Sequence, residues 1–188
     1  LKTEGLVVLD AATGKTVATQ QWKTSYSTGA TTPIVMGDKV FISTGYRRGC
    51  GLFQFNGDSF KEIYSNKAIS NHMANCVLID GHLYGITGNT HGIGKKELVC
   101  MEFNTGEVKW KRRGFGCGTV SAAGDRLMVL AERGELVISK ASASGFSALS
   151  RAQVNSGRCW TVPVLANGAI YTRNAQGRLV ALGVGKSG

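Results

Sequence analysis

The groups in this chain with the most chemical capacity are its three histidines, five cysteines and three tryptophans. His72, Cys117 and Cys159 offer imidazole and thiol groups of the kind that hold zinc or copper, and Trp160 adds a flat aromatic surface beside Cys159. A metal needs such groups to converge, and their spacing gives no sign of it. Cys50, Cys76, Cys100, Cys117 and Cys159 include no Cys-x-x-Cys and no adjacent pair, so neither a zinc knuckle nor a dense disulfide framework is signalled. They read as small buried strand residues, with at least one thiol left unpaired within the chain, and no metal is expected. His82 and His91 read as turn or surface residues.

Other chemistries leave signatures that are absent: there is no P-loop, no HExxH, no Cys-x-x-Cys-His and no GxSxG elbow. The run Gly114-x-Gly116-x-Gly118 superficially resembles a phosphate cradle, but it leads into an expected strand and not into a helix N-terminus. No catalytic residue is assigned. The formal charge of +10 favours anionic partners in general. Its carriers form small groups, Arg47 with Arg48, Lys95 with Lys96, and Lys109, Lys111, Arg112 and Arg113. They form neither the long tail nor the helical stripe of many nucleic-acid binders, so a solvated basic rim is the reading taken and nucleic acid is not the expected partner. No apolar run reaches the roughly 18 residues of a membrane span. The sequence opens at Leu1 without a methionine or an apolar leader, so any targeting segment is expected to lie outside it.

The elements that must position these groups follow from an internal repeat. Leu6-Val7-Val8-Leu9-Asp10-Ala11-Ala12-Thr13-Gly14-Lys15 returns as Leu98-Val99-Cys100-Met101-Glu102-Phe103-Asn104-Thr105-Gly106-Glu107, and each copy leads to a tryptophan, Trp22 or Trp110. Weaker copies begin at Leu52, Leu136 and Leu179. The chain therefore reads as one domain, 1–188, with units near 6–51, 52–97, 98–135 and 136–178 and a final strand at 179–184. Units of roughly 40–50 residues match a four-stranded blade. The short apolar alternation inside each unit excludes helical repeats of similar period.

One unit reads as an inner strand near Thr32–Met36, a second at Lys39–Thr44, then Leu52–Phe55 and Phe60–Ser65. The next has Cys76–Ile79, His82–Thr87, Leu98–Glu102 and Val108–Lys111, and later ones begin at Val120–Ala123 with Arg126–Ala131 and at Val162–Ala166 with Ala169–Arg173. Between each inner pair stands Gly37-Asp38, Asp80-Gly81, Gly124-Asp125 or Asn167-Gly168. A hairpin signal at the same place in successive units is far more specific than any single one. In Asp-x-x-Thr-Gly-Lys, Asp10 is expected to bond backbone donors ahead of it while Gly14 takes the left-handed conformation. The following tryptophan is expected to fill the gap between neighbouring blades.

This combination, Leu-Val-x-Leu-Asp-x-x-Thr-Gly-Lys, then Trp, then Pro33-Ile34-Val35 and the Gly37-Asp38 hairpin, resembles the quinoprotein-like (PQQ-like) β-propeller repeat family over nearly the whole chain. The resemblance implies an all-β propeller of four-stranded antiparallel blades. About four repeats are present where the family closes with seven or eight, so this is expected to be part of a larger propeller; closure of a small ring or a homodimer by the N-terminal strands is the alternative. Two branches are implied. One is cofactor-free scaffolds such as the BamB-type assembly lipoproteins; the other is dehydrogenases that hold pyrroloquinoline quinone (PQQ) with calcium.

Aligning the inner hairpins puts Gly29 and Ala30, His72 and Met73, Gly116 and Cys117, and Cys159 and Trp160 in equivalent positions near one end of the channel. His72, Cys117, Cys159 and Trp160 are thus the channel-facing candidates for ligand contact. The dehydrogenase branch implies vicinal cysteines, a tryptophan platform and a Glu/Asn/Asp calcium set. The cysteine pair is absent and no calcium ligand can be carried over residue by residue. The expectation is therefore a non-catalytic, periplasmic or otherwise exported binding or scaffold module with a protein or glycan partner and no cofactor. The alternative is a fragment or divergent member of a PQQ- and calcium-dependent alcohol or sugar dehydrogenase. A third reading uses the basic groups on exposed turns to bind an anion.

Overall fold

Short apolar alternations bounded by Gly-Asp, Asp-Gly or Asn-Gly are satisfied by antiparallel hairpins, because these turn residues tolerate positive φ. In the computed structural model, which describes residues 5–91 and 94–185, they form five antiparallel sheets. β1 (Gly5–Leu9) pairs with β2 (Thr16–Gln21). The next sheet runs in order through β3 (Ile34–Met36), β4 (Lys39–Thr44), β5 (Gly49–Phe55) and β6 (Phe60–Asn66). It is followed by β7 (Val77–Ile79), β8 (His82–Thr87), β9 (Glu97–Glu102) and β10 (Val108–Arg112), and by β11 (Thr119–Ala123), β12 (Arg126–Leu130), β13 (Glu135–Lys140) and β14 (Ala148–Gln153). The fifth sheet holds β15 (Val164–Ala166), β16 (Ala169–Arg173) and β17 (Leu179–Gly183). These successive up-and-down sheets are blades of a β-propeller, as the repeat predicts. One 3-10 turn, Ser25–Ser27, lies between β2 and β3. Among the described residues, no helix is long and apolar enough to cross a membrane.

The inner hairpins fall where their turn residues predict. Both central residues have positive φ in Asp80-Gly81 (46° and 71°) and Asn167-Gly168 (48° and 72°), whereas in the other two the glycine alone does, at Gly37 (61°) and Gly124 (55°). The Thr-Gly turns also close as expected. The Thr13 amide and hydroxyl both donate to Asp10 Oδ1 at 2.7 Å, and the Gly14 amide donates to the Asp10 carbonyl at 2.8 Å. Glu102 repeats this with the Thr105 amide at 2.6 Å and the Gly106 amide at 3.0 Å.

The core lies between sheets. Successive side chains of a strand point to opposite faces, so Val40 and Ile42 pack with Leu6, Trp22 and Phe53 on one side of their sheet, while Phe41 packs with Leu83, Val99 and Met101 on the other. Leu127 and Val129 likewise join Leu98 and Cys100, while Met128 and Leu130 join Leu136, Cys159 and Ile170. Burial on both faces is why β4, β8 and β12 are buried at successive positions and not at every second one, as the expected alternation would have it. Each fully buried leucine, isoleucine or phenylalanine contributes about 1.5–3 kcal/mol. The tryptophans bridge neighbouring blades: the Trp22 indole donates to Thr44 Oγ1 at 2.8 Å and the Trp110 indole to the Ser142 carbonyl at 2.7 Å. Tyr64 occupies the same role in the intervening sheet, its hydroxyl donating to the Phe103 carbonyl at 2.9 Å.

Candidate binding face

Antiparallel strands put alternate connections at opposite ends of a sheet. The inner hairpins and the turns at Asp10 and Glu102 share one end; the β4–β5, β8–β9 and β12–β13 loops and the links between sheets share the other. All four candidates lie at this second end. His72 is in the β6–β7 link, Cys117 in the β10–β11 link, and Cys159 and Trp160 in the β14–β15 link.

The structure brings three of them together. His72, Cys117 and Trp160, with Met73, Thr90 and Thr119, line a cavity of about 10 Å³, which has room for about one water molecule. Cys159 is not on its wall. It is buried among Met128, Leu130, Val154 and Ile170, and its amide donates to the Glu132 carbonyl at 2.8 Å. Gly29 and Ala30 also lie off the wall. Among the described residues, no three His, Cys, Asp or Glu side chains group as metal ligands. His82 sits at the opposite end, its Nδ1 2.8 Å from the Asp80 carbonyl. Within the glycine run Gly116 and Gly118 pack closely, for a Cβ on Gly116 would meet the Glu132 side chain and one on Gly118 the Ala131 Cα at 3.0 Å, whereas Gly114 has open space beside it.

The polar atoms around this cavity tie loops to one another. The Thr90 amide donates to His72 Nδ1 at 3.2 Å, and the Thr90 hydroxyl lies 2.9 Å from the same nitrogen. Burial, reinforced by His91, lowers the His72 pKa and favours a neutral ring. The Cys117 thiol donates to the Asn89 carbonyl at 3.1 Å, and burial raises its pKa, so it is a thiol and not the thiolate a nucleophile requires. Glu132 accepts from the Cys117 amide and the Trp160 indole, both at 3.1 Å. Burial at Glu132 opposes ionisation, but those two donors together with Lys96 and Arg133 outweigh it and hold the carboxyl below its ordinary pKa. The Arg158 guanidinium covers the Trp160 ring at 4.4 Å, and the two line a second pocket of about 130 Å³ with Thr161, Arg173 and Asn174.

A larger feature lies beside this network. A cleft of about 670 Å³ is walled by Tyr26 ahead of β3, Tyr46 and Arg47 of the β4–β5 loop, Lys67 of the β6–β7 link, and His91 and Lys95 of the β8–β9 loop. Tyr26, Tyr46 and His72 form a ladder of rings, each centroid 4.9 Å from the next. The Tyr46 amide donates to Asn89 Oδ1 at 2.7 Å. Tyr26, Ser27, Tyr46 and Arg47 all have positive φ, between 54° and 61°, which costs a non-glycine residue about 1–3 kcal/mol. Among the described residues the others of this kind, Asp80 and Asn167, belong to the hairpin turns already described.

Of the basic groups, Arg47, Lys95, Lys96 and Arg113 come to this end. Arg48 turns away to stack on Trp22 at 3.5 Å, Lys109 pairs with Glu107 at 2.7 Å, and Arg113 pairs with Glu97 at 2.9 Å. Tyr26, Tyr46, Lys67, Asn89 and Glu132 are site residues that sequence reasoning missed. The one available signal was the β8–β9 connection, longer than its β12–β13 counterpart.

BamB from Moraxella catarrhalis superposes with a TM-score of 0.71 at 17% identity, over 95% of this chain and 53% of that one. The computationally designed Ika8 protein gives 0.70 at 11% identity, over 97% and 53%. A europium-containing methanol dehydrogenase gives 0.50 at 13% identity, over 65% and 24%. At these identities the likeness is one of fold, and the chain spans about half the length of the first two structures. No curated protein matches the sequence. The family model described as outer membrane protein assembly factor BamB matches residues 2–112, and the chain belongs to that family.

Proposed function

We propose that the chain is a non-catalytic, exported β-propeller module that holds a protein partner against its loop end. Family membership carries this reading, since the family model is described as an outer membrane protein assembly factor. The partner of the whole protein belongs to the proposal. Periplasmic location rests on the same description, and the free thiols are compatible with it because all five are buried. A protein suits the cleft better than a neutral glycan, for none of its lining residues is a carboxylate that would accept sugar hydroxyls. Neither PQQ nor calcium forms part of the proposal.

Site-specific photocrosslinking tests it. A crosslinker at Tyr26, at the loop end, is expected to capture a discrete protein, whereas one at Asp58, in the β5–β6 turn at the opposite end, is not. Equal capture from both ends counts against the reading. So does a quinone chromophore reconstituted with PQQ and calcium and accompanied by dye-linked alcohol oxidation, an outcome that would restore the dehydrogenase alternative.

A further inference from the structure

We infer that the cleft between Tyr26, Tyr46, Arg47, Lys67 and Lys95 binds an acidic, extended segment of a partner protein, with carboxylates on the cations and an apolar side chain on the tyrosine pair. The inference rests on the protein-partner reading above and gives that partner a site and a chemistry.

Three observations converge. The first is charge. Arg47, Lys67 and Lys95 are exposed, and among the described residues none has a carboxylate within salt-bridge distance; no acidic residue lines the cleft. A more open depression lined by Lys95, Lys96 and Arg113 adjoins it, with Arg113 there paired to Glu97. The second is the tyrosine pair. Tyr26 is 81% exposed although its backbone sits in the left-handed region, with φ 60° and ψ 19°. Packing alone gives little reason to hold a large ring there, whereas a rigid amphipathic ring on a surface is well suited to recognition. The third is backbone shape. Tyr26, Tyr46 and Arg47, all at positive φ, line the same cleft, and strain of this kind clusters at binding sites. Loops hold it in place: a Cβ on Gly45 would lie 2.9 Å from the His72 ring and 3.1 Å from Asn89 Oδ1, so the β4–β5 loop is seated directly on the β6–β7 and β8–β9 connections.

The cation cluster favours carboxylates, since arginine and lysine form their strongest hydrogen bonds with ionised acceptors. The rings beside it favour a ligand that also carries apolar surface, as a peptide does.

The strain supplies a control. Glycine is at ease at positive φ, so Arg47→Gly removes the cation while relaxing the backbone. A residue held there for the fold would lose stability on this change; one held for binding would lose affinity while the thermal midpoint stays level or rises. The probe is a fluorescein-labelled peptide of Glu-Pro repeats with one phenylalanine, compared with its Gln-Pro counterpart by anisotropy. The glutamate peptide is expected to bind at least about tenfold more tightly, and Arg47→Gly and Lys95→Gln are each expected to weaken it about tenfold, as loss of one charge-assisted contact does. Binding should also weaken as salt rises.

Equal binding of the two peptides overturns the inference, as does unchanged binding by both variants. A heparin fragment that displaces the peptide and binds more tightly overturns the assignment to a protein segment. If the Tyr26 crosslinker captures a partner with a yield that Arg47→Gly and Lys95→Gln leave unchanged, the cleft is wrong while the protein-partner reading stands. Specific peptide binding together with no crosslinked partner supports the cleft and counts against that broader reading.

Discussion

At the scale of single residues, the same side chain does different work depending on what surrounds it. Asp10 is exposed and structural: bonds first from the Thr13 hydroxyl and then from the Thr13 amide lower its pKa. A carboxylate whose folded pKa lies below its unfolded value of about 3.9 stabilises the fold above that value and loses the contribution as pH falls through the folded one. Asp10→Asn should therefore lower the thermal midpoint at pH 6 but leave little difference from the parent near pH 2; a gap independent of pH would show that the charge is not involved. The thiols behave in the opposite sense. Burial pushes the Cys50 thiol up to about 11, with a backbone bond at Ile69 opposing it weakly. Alkylation of Cys50 at pH 8 should be more than about tenfold slower in the native chain than in the denatured one, because the thiolate is the reactive form; peptide mapping reads this directly. Thr172 Oγ1 is buried without a hydrogen-bond partner among the described residues. Replacing Thr172 with valine removes that orphan group at nearly the same shape and should stabilise the chain by about 1 kcal/mol in denaturant unfolding.

At the scale of elements, the aromatic wedge joins one blade to the next. Trp22 is buried against Phe53 with ring centroids 5.9 Å apart and bonded to Thr44, so Trp22→Ala should cost about 3–5 kcal/mol in denaturant unfolding. Tyr64→Phe, which loses the bond to Phe103 and keeps the ring, should cost about 0.5–1.5 kcal/mol. The contrast between these positions also marks what the sequence reveals. Trp22 and Trp110 were legible because they follow a Thr-Gly turn, and the inner hairpins were legible because their signals are local: short apolar stretches on either side of a turn pair that accepts positive φ. Tyr64 was not, since its turn at Asn56-Gly57-Asp58 lacks the Thr-Gly pattern. Tyr26 and Tyr46 were harder still. Nothing local asks a tyrosine to adopt positive φ, and what holds Tyr46 is Asn89, which belongs to a loop of another sheet. Cys159 and Trp160 are adjacent and were read together, but consecutive residues face different ways, and the cysteine went to the core while the tryptophan went to the cavity. Arg47 and Arg48 divided in the same manner, one toward the cleft and one onto Trp22.

At the scale of the whole molecule, the core is a series of layers, each between two neighbouring sheets, so a blade's stability depends on how many of its faces are covered. The sheets β3–β6, β7–β10 and β11–β14 are packed on both faces by these layers. The β15–β17 sheet contributes few core residues, among them Ile170, and leaves Val164, Leu165 and Leu179 more than 40% exposed. The β1–β2 pair contributes Leu6 to a single layer, which Trp22, the residue just after the pair, also enters. Native-state hydrogen exchange should follow this order: slowest in β8, β9 and β12, and faster in β16, β17 and β1, because local opening costs least where fewest apolar contacts break. Val129→Ala cuts into the layer shared by Leu98, Cys100 and Leu127 and should accelerate exchange in β8, β9 and β12 together while β1 and β2, which do not touch that layer, change less. Exchange that speeds up equally in every sheet would instead mean that the chain opens as one cooperative unit and that the layers are not separable in energy.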